Sequence, residues 1–119
     1  MKALLLIAHG SRKASSNQEV AELANKLSQQ DSEFALVAHC FLELTTPKVP
    51  DSVAQLAAQG ATEVVILPYF LAAGMHVSED LPELLSQAQQ NFPKVSFTLL
   101  EHLGAAEQMP SWILQQASR

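Results

Sequence analysis

The sequence predicts an α/β fold, a three-layer sandwich with one four-stranded parallel sheet and helices on both faces. Three observations predict it. Short apolar runs rich in branched side chains begin about every thirty residues, the length of a strand–helix–strand unit. The first three runs hardly alternate with polar residues, as strands buried on both faces do. Between the runs, apolar residues recur at helical spacing, so strands and helices take turns along the chain.

The elements follow in order. Leu4-Leu5-Leu6-Ile7-Ala8 is the first strand, ending at once in His9-Gly10-Ser11-Arg12. Ser16-Asn17-Gln18-Glu19 has capping-box spacing, and Val20, Leu23, Ala24 and Leu27 form one helical face behind it. After a polar break at 29–33, residues 34–38 make a second strand that runs into His39-Cys40-Phe41-Leu42-Glu43. Pro47 and Pro50 must lie at or before the first turn of the next helix, because proline deeper inside would clash and lose a hydrogen bond. Val53, Leu56 and Ala57 give that helix its inner face, and Gly60 stops it. Residues 63–67 are the third strand. Asp80-Leu81-Pro82-Glu83 reads as the cap of a third helix with the stripe Leu81, Leu84, Leu85 and Ala88, ended by Pro93. Residues 95–100 alternate more and suit an edge strand with one wetter face. A last helix falls between 105 and 117, interrupted by Pro110, with the short stripe Met109, Trp112 and Ile113.

At 119 residues the chain has room for one domain, 1–119, around a single core. Its 7 Lys and Arg against 12 Asp and Glu give a net charge of −5, which argues against a nucleic-acid or anionic-membrane surface. An anionic ligand would then need a local positive site. The one cysteine, Cys40, excludes an internal disulfide framework and points to a reducing compartment. Lys2 and the apolar run after it are too short for a signal peptide, and no run approaches the ~18 residues of a membrane span. The expectation is a soluble cytoplasmic protein.

In a parallel sheet all strands point one way, and ligands bind outside their carboxyl ends. His9 follows the first strand, His39 and Glu43 the second, His76 the third and His102 the fourth. His39 reads as the last inward residue of its strand, a hydrogen-bonded core histidine, and His102 stands open between loop and site. Glu43, between Leu42 and Leu44, is hard to explain as a solvated surface residue. His9 and His76 lie in glycine-containing loops, where a functional reading is favoured. Two imidazoles and a carboxylate with open positions suit a divalent ion held briefly and released. Gly10, Ser11 and Arg12, just before a helix N-terminus, form a cradle for a carboxylate or phosphate. The Gly-x-Ser-x-Gly elbow, the P-loop and the Gly-x-Gly-x-x-Gly fingerprint are absent.

Ala8-His9-Gly10-Ser11-Arg12, then Phe41-Leu42-Glu43 with Pro47, then the stretch from Leu67-Pro68-Tyr69-Phe70 through Gly74-Met75-His76-Val77-Ser78-Glu79-Asp80-Leu81-Pro82 resemble the CbiX/SirB family of sirohydrochlorin chelatases. The likeness runs to about Pro82, with Leu103-Gly104 extending it weakly. The resemblance implies a chelatase-type fold and a lyase activity. A divalent metal, cobalt or ferrous iron and sometimes nickel, would enter a precorrin-2-derived tetrapyrrole for cobalamin or sirohaem biosynthesis. Metal and tetrapyrrole are the substrates, with no organic cofactor. Long members carry two halves, and the short form, which this chain resembles, is expected to homodimerise. By position, His9 and His76 match the pair that binds metal and handles protons, and Glu43 the nearby acid. Gly10, Ser11, Arg12 and Gly74 fall where substrate is met.

The residue types fit that chemistry: imidazole alternates between ligand and base, and a carboxylate stabilises the imidazolium. Two other readings stand beside it. Phosphoryl transfer through a histidine after strand one, as in phosphoglycerate-mutase-like folds, requires Arg directly before His-Gly, where this chain has Ala8. A non-catalytic metal or tetrapyrrole carrier would use the same histidines. The residues do not name the metal, since such a donor set accepts several divalent ions.

Overall fold

The computed structural model describes residues 1–118, apart from the side chain of His76. Strands β1 (Lys2–Ala8), β2 (Leu36–Phe41), β3 (Glu63–Pro68) and β4 (Ser96–Leu99) alternate with helices α1 (Ala14–Gln29), α2 (Val49–Ala58), α3 (Met75–Asn91) and α4 (Met109–Ala117). A 3-10 turn at Leu103–Ala105 precedes α4. The sheet is parallel throughout, in the order β2-β1-β3-β4. The chain leaves β1 toward β2 on one side and returns to β3 on the other, so a crevice opens at the carboxyl end of β1.

β1 is flanked on both edges and covered on both faces, which is why its sequence is a continuous apolar run. Register pairs Leu5 with Ala38 and Ile66, and Ile7 with Cys40 and Pro68. That face packs on Val53 and Leu56 of α2 and on Val77, Leu81 and Ala88 of α3. The opposite face carries Ala8 and Phe41 against Val20 of α1, with Tyr69 beside them.

Four expectations are corrected. Helix α1 starts at Ala14 with Lys13 as its uncapped N-terminal residue, not at a Ser16–Glu19 box. Asn17 is occupied elsewhere: its Nδ2 donates to the Ser11 carbonyl (2.7 Å), and its Oδ1 accepts from the Ser11 N–H (2.9 Å). The third helix starts at Met75 with Gly74 as N-cap, so Asp80 and Glu83 lie on its body and Pro82 inside it. The missing N–H of Pro82 costs one helical bond, and burial of Val77, Leu81 and Ala88 around it holds the helix to the sheet. The second strand starts two residues later and ends three residues later than expected, because Leu36, Ala38 and Cys40 align with Ala3, Leu5 and Ile7. Finally, Pro110 sits in the first turn of α4 rather than interrupting it. The stripe of α4 is not core: Trp112 and Ile113 are 45% and 58% exposed.

His39 therefore sits within β2, half-buried, its ring meeting Phe41 edge-on at 5.5 Å. Among the described residues its side chain makes no hydrogen bond, so the ring contact replaces the bond expected of a core histidine. Burial lowers its pKa below the ordinary 6.5, and burial pushes the neighbouring Cys40 thiol up to about 12. The unfolded chain thus protonates at residue 39 before the folded one does. The stability held by the neutral ring is present above 6.5 and lost as the pH falls toward the folded value. His39→Leu should flatten the fall in urea-unfolding free energy between about pH 7.5 and 5. An unchanged slope would place the acid sensitivity elsewhere.

Candidate active site

The site begins where β1 runs out. Pairing with the segment after β2 continues beyond the strands, with Leu42 N–H donating to Ala8 O (3.0 Å) and Glu43 N–H to His9 O (3.2 Å). Gly10 follows at φ 98°, and a Cβ there would fall on the Glu43 carbonyl. Only glycine combines that dihedral with so close a backbone approach. Leu44 then takes φ 72°, the left-handed region normally left to glycine, and turns the chain away after Glu43.

This contact carries two side chains with it. His9 Nε2 lies 3.2 Å from Glu43 Oε1, with the side chains 49% and 57% exposed. A pair so open to water contributes little to stability, so its value is positional. A carboxylate only accepts, so a hydrogen bond across this distance requires the hydrogen on Nε2, which in the neutral ring leaves the lone pair on Nδ1. Phe70 meets the His9 ring edge-on at 6.4 Å, limiting its rotation from the β3 side.

His9 and Glu43 open into a cavity of about 200 Å³, whose remaining walls are Leu42, Val77, Asp80, Glu83, Leu84 and Gln87. Residues 77, 80, 84 and 87 recur at helical spacing along one face of α3. Asp80 and Glu83 are the acidic groups that sequence reasoning missed, because it took them for a helix cap. Starting the helix at Gly74 would have put them on the face of Val77. Among the described residues no Lys or Arg lines the cavity.

Other expected site residues distribute as follows. His76 lies in the first turn of α3, one residue before the cavity-lining Val77, and not in a loop. Its imidazole, and hence its expected meeting with His9, lies outside the described residues. Among the described residues no three His, Cys, Asp or Glu side chains form a metal-holding group. Ser11 is committed to the loop, its amide bonded to Asn17 and its Oγ accepting from Lys13 N–H (3.0 Å). The expected cradle therefore lacks one donor, and exposed Arg12 remains at the start of α1. Gly74 has extended backbone and open space around it. His39 and His102 do not line the cavity.

Over residues 3–119 the sequence matches the CbiX family. The chain belongs to the CbiX family. It is similar to a Methanocaldococcus jannaschii protein named sirohydrochlorin cobaltochelatase, with 35% identity over 91 residues, covering 76% of this chain and 63% of that one. It is also similar to an Arabidopsis thaliana protein named sirohydrochlorin ferrochelatase, chloroplastic, with 31% identity over 101 residues, covering 85% of this chain and 44% of that one. A Sulfolobus acidocaldarius protein named sirohydrochlorin cobaltochelatase is 29% identical over 119 residues, covering 100% of this chain and 92% of that one. The chain spans about three fifths of the length of the first curated relatives it matches.

Two solved structures share the fold of this CbiX-family chain. A CbiX protein of Marinobacter aquaeolei superposes with a TM-score of 0.83 at 24% identity, covering 99% of this chain and 95% of that one. SirB of Bacillus subtilis subspecies spizizenii, in complex with cobalt, superposes with a TM-score of 0.80 at 24% identity, covering 98% of this chain and 50% of that one.

The backbone contact at Gly10 gives a direct test of how the family's first loop is held. Gly10→Ala should lower the unfolding free energy by about 1–3 kcal/mol and separate His9 from Glu43. Urea melts read the first effect, and loss of the cross-loop contact in NMR spectra reads the second. An alanine variant as stable as the parent, with the pair intact, would contradict this account of the loop.

Proposed function

We propose that the chain is a sirohydrochlorin chelatase, inserting cobalt(II) or ferrous iron into a precorrin-2-derived tetrapyrrole for cobalamin or sirohaem biosynthesis. The observation that carries the reading is the His9–Glu43 pair at the carboxyl edge of the sheet, opening into an acidic cavity. Family membership and the names of the relatives support it. The working form is a pair of chains in the cytoplasm.

Insertion exchanges one divalent cation for two pyrrole protons, so charge balances with both protons passed to bases. His9 Nδ1 offers the metal a lone pair and, once the metal has moved on, takes up a proton. Glu43, 3.2 Å from Nε2, stabilises the imidazolium that forms. His76 is assigned the second ligand and base. The cavity favours the metal over the macrocycle on two grounds. Its 200 Å³ is below the ~300–1,000 Å³ of pockets that enclose larger ligands. Its Glu43, Asp80 and Glu83 would attract a hydrated cation and repel a polycarboxylate. The macrocycle would then lie outside, over the strand ends, with Arg12 and the start of α1 receiving its carboxylates.

The test is turnover in anaerobic solution with sirohydrochlorin and cobalt(II) or ferrous iron, followed in the visible spectrum. His9→Ala and His76→Ala should each slow insertion by about 10²-fold or more, with circular dichroism unchanged. Full activity in both would remove the assigned roles. Insertion no faster than in protein-free solution, with tetrapyrrole still bound, would establish the carrier reading instead. Glu83→Gln should raise KM for the metal several-fold and leave KM for the tetrapyrrole unchanged. The opposite split would mean that the macrocycle uses the cavity.

A further inference from the structure

His9 is met from both neighbours of its strand. From the β2 side Glu43 Oε1 lies 3.2 Å from Nε2, and from the β3 side the Phe70 ring stands 6.4 Å away, its plane at 78° to the imidazole. The ion pair is open to water, and such a pair holds a side chain weakly. An edge-on aromatic contact is worth as much or more. The position of Phe70 therefore decides how far the imidazole turns.

Phe70 is fixed by its main chain. Pro68, the last residue of β3, brings no N–H to the sheet, and the chain bends directly after it. Tyr69 N–H still donates to Ile7 O (2.7 Å), while Phe70 N–H turns back to Pro68 O (3.1 Å). The Phe70 carbonyl then accepts from Gly104 N–H (2.9 Å), within the 3-10 turn that follows β4. Both backbone polar groups of Phe70 are engaged, and Gly104, which supplies the second bond, does not line the cavity.

Space alone calls for glycine at 104. The residue lies inside a 3-10 turn, whose dihedrals any residue adopts, unlike Gly10 and Gly60 with their positive φ. A Cβ at 104, however, would fall onto the carbonyl of Leu71, the residue after Phe70. The Leu71 side chain is 74% exposed, so the loop is held here by its carbonyl and not by apolar packing. Gly10 repeats the arrangement beside His9, where a Cβ would fall on the Glu43 carbonyl. Each loop that carries a partner of His9 is thus closed against a glycine.

We infer that Gly104 is a positioning residue for His9. By admitting the Leu71 carbonyl and bonding Phe70, it keeps the Phe70 ring against the imidazole and so preorganises His9 for the metal. The inference rests on the metal-binding role proposed for His9, and adds the distant residue that sets its ring. Linkage makes the effect reciprocal. An ion that prefers the held imidazole also tightens the turn that holds it.

Isothermal titration of the full chain with cobalt(II) alone should show Gly104→Ala and Phe70→Leu each binding about two- to tenfold more weakly, with circular dichroism unchanged. The double variant should bind no more weakly than the weaker single one, because both changes remove the same contact. Losses that multiply would overturn the inference. In the parent chain, where no substitution disturbs folding, saturating zinc(II) should slow hydrogen exchange of the Gly104 amide. An unchanged exchange rate would overturn the inference as well. Cobalt binding lost in His9→Ala but kept in both single variants would overturn it and leave the reading of the site standing. Parental affinity in His9→Ala would overturn it together with the role proposed for His9.

Discussion

The parallel pairing of β1 with β2 and β3 is the constraint on which the rest of the molecule depends. It buries Leu5 and Ile7 between neighbours on both sides, which demands the apolar run. It also sends the segments after β1 and β2 out of the sheet side by side. Two further backbone bonds, Leu42 to Ala8 and Glu43 to His9, extend the ladder past the strands. Gly10 lets the two chains touch there. Residues 34 positions apart are thereby held at hydrogen-bond distance by main-chain contacts, and not by the weak attraction of an exposed pair.

That division of labour would suit the proposed site, which binds a cation and lets it go. The positioning is supplied by buried sheet and close backbone, while the side chains remain open to water. Helix α3 closes the site from the other side. Its apolar residues Val77, Leu81 and Ala88 seat it on the sheet, and Asp80 and Glu83 reach the cavity from the same helix. The protein's overall negative charge is thus concentrated in part at this cavity, where Glu43, Asp80 and Glu83 would favour a cation over an anion.

Much of this was legible from residues. The three buried strands, their direction and the placing of His9 and Glu43 at one edge follow from apolar runs ending in polar residues. What escaped has physical reasons. The start of α3 was misplaced because Asp80-Leu81-Pro82-Glu83 imitates a cap, and only packing of Val77 and Leu81 shows that Pro82 is tolerated inside the helix. The capping role given to Ser16 was wrong because Asn17 serves the loop, a tie between residues whose partnership no local pattern displays. The apolar stripe of α4 was recognised, but a stripe does not say whether its partner belongs to the same chain.

The most direct measurement of the central claim is a crystal structure grown with cobalt(II) and no tetrapyrrole, with an anomalous difference map at the cobalt edge. Convergence of the strand ends on a metal-handling edge predicts a peak about 2.0–2.2 Å from a His9 ring nitrogen, at the mouth of the cavity shared with Glu43. A fully occupied cobalt bound elsewhere on the protein, with His9 and Glu43 untouched, would contradict it.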